Sequence, residues 1–164
     1  MHGFKKLAII VIAIGLSVML SGLFARRSNP PVSHTVTWDS PATEQRFRLA
    51  CADCHSHETV WPWYAYVGPT AFLMTHNVEE GREHFNISVA DMGEAEDSAE
   101  EVTEGEMPPW DYLLMHAEAE FDGPELDAFV AGLRATFGDD DHDDHDDKDD
   151  EGDHEDDHDG RDDH

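Results

Sequence analysis

The feature that most restricts this chain is an uncharged, mostly apolar run near its amino terminus, the 18 residues from Leu7 to Phe24. Lys5-Lys6 precede the run and Arg26-Arg27 follow it. As a helix it would rise about 27 Å, close to the roughly 30 Å of a bilayer core. Residues 1–28 are therefore predicted to enter a membrane.

The same segment has the basic start of a secretory signal, so cleavage is the alternative to anchoring. The hydrophobic region of a signal is only about 7–15 residues long. The longer run here, and the poor match of Leu23-Phe24-Ala25 to an A-x-A cleavage site, favour an uncleaved anchor. Basic pairs flank both ends, so the positive-inside rule alone does not orient the helix.

The opposite end, residues 139–164, holds fifteen Asp, two Glu, one Lys, one Arg and five His, with a formal charge of −15 and no apolar side chain. Such a block cannot offset an ordering entropy of roughly 1–2 kcal/mol per residue, which predicts disorder. It is either a solvated polyanion that engages a basic partner or a weak site for a divalent metal. The metal alternative would use His142, His145, His154 and His158.

Between these ends lies a body of about 100 residues, predicted to be one domain over residues 29–138. The prolines of Asn29-Pro30-Pro31 predict an extended spacer that lifts the domain off the membrane. Ser40-Pro41 predicts a capped helix that runs into Cys51. A second helix is expected from Pro69 to Gly81, and residues 90–105 are expected to be a partly helical surface segment.

A third helix is predicted to begin at Asp122, as its N-cap, with Glu125 three residues later as in a capping box. One apolar stripe follows, formed by Leu126, Phe129, Val130, Leu133 and Phe137. No strand-like alternation of useful length is present. The predicted fold class is all-α with long loops.

Cys51-Ala52-Asp53-Cys54-His55 is the C-x-x-C-H pattern of c-type haem attachment. On a helix the two thiols project from the same face, so both can form thioethers with one porphyrin, and His55 then lies beneath the iron as its proximal ligand. A zinc site would need two further ligands, and a thioredoxin-like pair would need a βαβ context; neither is visible. One covalent haem c is expected.

The motif also orients the anchor. Haem is attached to thiols outside the cytoplasm in bacteria, so the haem domain is expected on the extracytoplasmic, periplasmic side. The short amino terminus would then remain inside.

Three blocks resemble the bacterial haem-binding domain family of small, membrane-anchored, c-type cytochrome-like proteins. They are Cys51-Ala-Asp-Cys-His-Ser-His-Glu-Thr-Val-Trp-Pro-Trp-Tyr64, His76-Asn-Val-Glu-Glu-Gly-Arg-Glu83, and Gly105-Glu-Met-Pro-Pro-Trp-Asp-Tyr112 with His116. The resemblance spans about residues 29–133. The sequence departs from the family pattern at residues 86–90, where the family tends to place an aromatic residue.

The order of haem motif, Met107 loop and last helix looks like a small class I cytochrome c, in which a loop thioether completes the iron. Pro108 and Pro109 would stiffen that loop. Met107 is therefore the predicted sixth ligand, and a thioether raises the reduction potential. A vacant site remains an alternative, as do other side chains: His57, His76, His84, His116, Met74, Met92 and Met115.

The aromatic block beside the motif, Trp61, Trp63, Tyr64 and Tyr66, is predicted to be core that also packs on the porphyrin and excludes water from the iron. Arg82 is predicted either to pair a haem propionate bidentately or to form an exposed ion pair with Glu79 or Glu83.

The leading functional hypothesis is electron transfer by a membrane-tethered mono-haem module. Its redox partner is expected to carry a basic docking surface. The alternative is a sensor or ligand-binding module with an exchangeable sixth site. No catalytic constellation is visible, so no enzymatic activity is expected. Nor is a nucleic-acid partner expected of a chain with a net charge of −28.

Overall fold

The computed structural model describes residues 2–138 of the 164 in the chain. The predicted disorder of residues 139–164, and the predicted tail metal site at His142, His145, His154 and His158, lie outside the described residues. Across residues 2–138 the fold is all-α without strands, as predicted, and an isolated bridge pairs Phe85 with Gly93. The helices are α1 (His2–Ser21), α2 (Pro41–Ala50), α3 (Ala52–His55), α4 (Gly68–His84), α5 (Ser98–Glu104), α6 (Trp110–Leu113) and α7 (Gly123–Phe137), with 3₁₀ turns at Gly22–Phe24, Trp63–Tyr66 and Ala117–Ala119.

The first turn of α2 is built as the sequence predicts. The Ser40 hydroxyl oxygen accepts a hydrogen bond from the Thr43 amide at 3.2 Å, and Pro41 is the first helical residue. This satisfies an amide that would otherwise have no partner at the helix start. The cap fixes the start of α2, and the helix ends at Ala50, directly before the cysteine motif.

The last helix, α7, presents its predicted stripe to the core. Phe129, Val130 and Leu133 are buried. The predicted capping box is wrong: the Asp122 side chain accepts no cap hydrogen bond, and Glu125 forms an ion pair with Arg46 of α2. Glu125 pairs with an arginine of another helix instead of taking part in a local cap.

The core is a cluster of aromatic and aliphatic side chains shared by α2, α3, α5, α7 and the segment after α4. Its buried members are Phe47, Ala52, Phe85, Ile87, Ala95, Ala99, Val102, Phe129, Val130 and Leu133. The prediction that residues 90–105 are partly helical is confirmed by α5, but their placement on the surface is wrong for Ala99 and Val102, which are buried in this cluster. Small side chains there let α5 approach the core closely.

The helix α1, together with the Gly22–Phe24 turn, is long and apolar enough to cross a membrane. The predicted extended spacer does not lift the domain away from this helix. The Asn29 side-chain amide donates to the Thr59 carbonyl at 2.8 Å, and the Ser33 backbone amide donates to the Ser88 carbonyl at 2.9 Å. The segment is therefore bound along the domain surface.

Candidate haem site

The cysteine motif forms a single helical turn. The amides of Cys54 and His55 donate to the Cys51 carbonyl at 3.1 and 2.9 Å, and Cys51 precedes the first residue of α3. Both cysteines are free and half-buried. The predicted arrangement, two thiols and an imidazole on one turn, is present.

The orientation of the His55 ring is fixed by the backbone of residue 85. His55 Nδ1 lies 2.9 Å from the Phe85 carbonyl oxygen. A carbonyl can only accept, so Nδ1 carries the proton and the Nε2 lone pair remains for another partner. Burial lowers the pKa of His55, which favours the neutral ring. A neutral imidazole held through its other nitrogen is the form that ligates metals.

Residues 86–88 are buried behind the motif and hydrogen-bond to it, and the sequence analysis did not predict this role. The Asn86 side-chain oxygen accepts from the Ser88 amide at 3.0 Å, and its amide group donates to His57 Nε2 at 3.0 Å. The Ser88 hydroxyl oxygen accepts from the His57 amide at 2.8 Å, and the Ile87 amide donates to the His55 carbonyl at 3.0 Å. Asn86 two residues before Ser88 has the spacing of an Asx turn, which was the available signal.

The Arg82 side chain holds the other side of the motif. Its Nε donates to the Ser56 carbonyl at 2.8 Å and its Nη1 to the Ser28 carbonyl at 2.8 Å. Its Nη2 donates to the Thr59 hydroxyl at 2.8 Å and to the Asn29 side-chain oxygen at 3.3 Å. The structure thus shows a clamp that joins α4 to the motif and to the segment after α1. Bidentate pairing with a propionate stays a prediction, and it would compete with these hydrogen bonds.

The thiols are half-buried and closely packed against neighbouring residues. Burial raises the pKa of both Cys51 and Cys54 to about 12, so both are neutral thiols. A Cβ added to Gly81 of α4 would lie 3.0 Å from Cys54 Cβ and 3.1 Å from its carbonyl oxygen. A Cβ here would require the motif to shift by a few tenths of an ångström, so glycine favours this close approach of α4.

Tyr112 reaches the same turn from α6. Its hydroxyl lies 3.3 Å from Asp53 Oδ2 and 3.4 Å from the Leu49 carbonyl oxygen, and burial raises its pKa. Its ring stacks on His116 at a centroid distance of 4.2 Å. The Tyr64 hydroxyl is bonded to His116 Nε2 at 2.8 Å. The Met107 loop is therefore tied to the motif through the helix that follows it.

The family model described as a haem-binding domain matches residues 14–135. The chain belongs to this haem-binding domain family. Comparisons with curated proteins and with solved structures found no match. The residues fit the prosthetic group that the family binds, because the motif offers two thiols on one turn and a half-buried imidazole whose Nε2 is not used by the Phe85 contact.

Within this haem-binding domain, Met107 is half-buried and packs against the core cluster, as Cys51 does. Its amide donates to the Glu101 carbonyl at 3.1 Å, which ties the loop to the end of α5. Of the other predicted thioether ligands, Met115 is exposed, Met74 is half-buried, and Met92 packs against the core.

The competing histidines have other partners. His57 Nδ1 donates to the Pro31 carbonyl at 3.0 Å while its Nε2 accepts from Asn86. His116 contacts Tyr64 through Nε2, and its Nδ1 lies 3.4 Å from Glu118. His84 and His76 are largely exposed and face Glu94 and Glu80 at 2.8 and 3.5 Å. In the part of the chain that the structure describes, no group of three or more His, Cys, Asp or Glu side chains could hold a metal ion.

The aromatic block of the haem-binding domain is not core. Trp63 is 72% exposed and Tyr66 44% exposed, and none of the four rings belongs to the buried cluster. The Trp61 indole donates to the Asn29 side chain at 3.1 Å. The 3₁₀ turn at this point directs the small Ala65 inward instead, so the predicted burial of these rings in the protein core is wrong. Packing of Trp61, Trp63 and Tyr64 on a porphyrin stays a prediction.

Proposed function

We propose that this chain is a mono-haem c protein, anchored by α1, whose domain transfers electrons on the extracytoplasmic, periplasmic side of the membrane. The observation that carries the proposal is the His55 ring, held through Nδ1 on the Phe85 carbonyl, on the same turn as two half-buried thiols. The bound haem supplies an iron that changes oxidation state by one electron.

Covalent attachment is supported by the geometry of the turn. Addition of each thiol S–H across a porphyrin vinyl group forms a thioether without loss of any atom. Cys51 and Cys54 are one helical turn apart, so both sulfurs face the same side. Attachment at two points would hold the porphyrin beside His55, whose Nε2 would bind the iron.

Met107 is the proposed sixth ligand. The four candidate histidines already have partners, whereas Met107 is half-buried beside the cluster that Cys51 contacts. Two protein ligands would leave no open position for a substrate, which agrees with electron transfer and with the prediction that the chain is not an enzyme. The thioether would favour the reduced iron.

A redox partner with a basic docking surface is part of the proposal. The chain carries a net charge of −28. Opposite charges accelerate encounter, and salt screens the attraction over about 8–10 Å at 0.1–0.15 M ionic strength. The rate of reduction by a basic partner is therefore expected to fall as ionic strength rises.

Loss of both cysteines should abolish covalent haem. In protein produced with haem-attachment machinery, the wild type should keep haem through acidified-acetone extraction and denaturing electrophoresis. The variant carrying Cys51→Ala and Cys54→Ala should lose all of it, because no thioether can form. The measurement is haem staining of the separated polypeptide, with total haem read from the pyridine haemochrome spectrum.

Each single cysteine variant is the matched control. One remaining thioether should keep the stain, and the haemochrome band should move to longer wavelength because one vinyl group stays conjugated. Complete extraction of haem from the wild-type chain under these conditions would refute covalent attachment while leaving haem binding intact.

A further inference from the structure

The end of α1 is packed directly on the beginning of α4. A Cβ added to Gly22 would lie 2.6 Å from the Gly68 nitrogen and 2.8 Å from the Tyr66 carbonyl oxygen. One added to Gly68, where φ is +47°, would lie 3.3 Å from the Val18 carbonyl oxygen. Two glycines therefore let the two backbones touch where a side chain on either would separate them.

Arg27 secures this contact, which we call the anchor joint (Gly22, Arg27, Tyr66 and Gly68). Its Nη1 donates to the carbonyls of Gly22 and Ala65 at 3.0 and 2.8 Å. Its guanidinium carbon also lies 4.2 Å from the centre of the Tyr66 ring. The anchor helix and the domain are thus joined by backbone packing and by a cation on an aromatic face.

The position of the joint along α1 bears on its depth in a membrane. Gly68 contacts α1 at Val18, six residues before the apolar run ends at Phe24. If this contact lay in water, only Leu7 to Val18 would remain to span the bilayer, about 18 Å against a hydrocarbon core of about 30 Å. The full run to Phe24 supplies about 27 Å. A spanning α1 therefore requires the joint to lie below the membrane surface.

The start of α4 is suited to that environment. Residues 68–75 carry no charge, and the acidic residues of the helix begin at Glu79. Phe72 and Leu73 are 47% and 50% exposed, and Trp63 and Tyr66 are exposed on the preceding turn. Aromatic side chains with one polar atom concentrate at membrane interfaces.

The two threonine hydroxyls at this end are already hydrogen-bonded within the helix and the preceding turn. The Thr70 hydroxyl donates to the carbonyls of Tyr64 and Val67 at 2.8 and 2.6 Å, and the Thr75 hydroxyl donates to the Ala71 carbonyl at 3.0 Å. Burial of this end in lipid therefore leaves neither hydroxyl without a partner, which lowers the cost of inserting it.

We propose that the first two turns of α4, with the Trp63–Tyr66 turn, are inserted in the lipid interface beside α1, so that the domain sits partly in the membrane. This rests on the proposed anchoring by α1. The cysteine motif contacts Gly81, eight residues beyond Leu73 and about 12 Å further along α4. The haem would then have one fixed position near the membrane surface, suited to a partner in the same membrane.

The test measures the depth of a spin label at Leu73→Cys in the full-length holoprotein, reconstituted in phosphatidylcholine and phosphatidylglycerol nanodiscs. In the holoprotein Cys51 and Cys54 are thioethers and cannot react with the label. Wild-type holoprotein treated with the same label should therefore remain unlabelled. Collisions with oxygen report lipid, and collisions with a water-soluble nickel chelate report water; each is measured against the same sample without oxygen or nickel, so that the constant effect of the iron is subtracted. The label at Leu73 should favour oxygen several-fold more than a label at Ala128→Cys, an exposed position on α7.

A matched pair of glycine variants tests the joint itself. Gly22→Leu should raise the access of the nickel chelate to the Leu73 label, because the added side chain separates α1 from α4. Gly15→Leu should not, since a Cβ there meets nothing within 4 Å. Equal nickel access at Leu73 and Ala128 in protein that resists carbonate extraction would overturn the insertion alone. Release of the protein by carbonate would overturn the anchoring and the insertion together.

Discussion

Arg82→Lys should reduce the free energy of unfolding of the domain by about 2–4 kcal/mol, which corresponds to a fall in Tm of roughly 10–20 °C. The planar guanidinium now donates along three directions to Ser56, Ser28 and the Thr59 hydroxyl. A lysine ammonium keeps the charge but cannot reproduce this fork, and it leaves carbonyl oxygens without a donor. Thermal unfolding of the holoprotein, followed by circular dichroism, measures the change.

Arg48→Lys is the control for this prediction. Arg48 is also bonded to two groups, Glu44 and Glu58, at 2.9 and 3.1 Å, but on an exposed surface. Exposed ion pairs contribute about 0–1 kcal/mol, so its Tm should change little. If Arg82→Lys left Tm unchanged and instead shifted the reduction potential, its main partner would be a haem propionate and the clamp interpretation would be wrong.

The parts of the fold that the sequence predicts are those specified within a few residues. Ser40-Pro41 carries its own cap, the stripe of α7 repeats with the helical period, and C-x-x-C-H needs only one turn to bring its three side chains together. Each of these signals survives in the structure because no distant contact competes with it. The capping box at Asp122 fails for the opposite reason, since Arg46 attracts Glu125 from another helix.

The remainder of the site depends on partners far away in the chain. Asn86 hydrogen-bonds to His57, and Gly81 allows the close approach of Cys54, although about 30 residues of sequence separate the members of each pair. Nothing local distinguishes Arg82 from an exposed arginine until Ser28 and Ser56 are placed beside it. The exposure of Trp63 likewise reflects the direction of a 3₁₀ turn, which side-chain hydrophobicity does not report.

Met107→Ala should convert an inert iron into one that binds carbon monoxide. The reduced wild type is expected to be low-spin and not to bind the gas, because His55 and Met107 would both be iron ligands and would leave no open position. The variant should lose the thioether charge-transfer band, bind carbon monoxide at least about tenfold more tightly and have a lower reduction potential. The measurement is the reduced-minus-oxidised optical spectrum during a titration with carbon monoxide, followed by a potentiometric titration.

Met115→Ala is the matched control, because Met115 lies only eight residues after Met107 and is 56% exposed. Its loss should leave the optical spectrum and the reduction potential unchanged. The comparison also separates the two functional hypotheses. A wild type that binds carbon monoxide as readily as the Met107 variant has an exchangeable sixth position, which favours a sensor or ligand-binding module over electron transfer. Retention of a low-spin iron in Met107→Ala would assign the sixth position to one of the histidines, which would first have to leave its present partner.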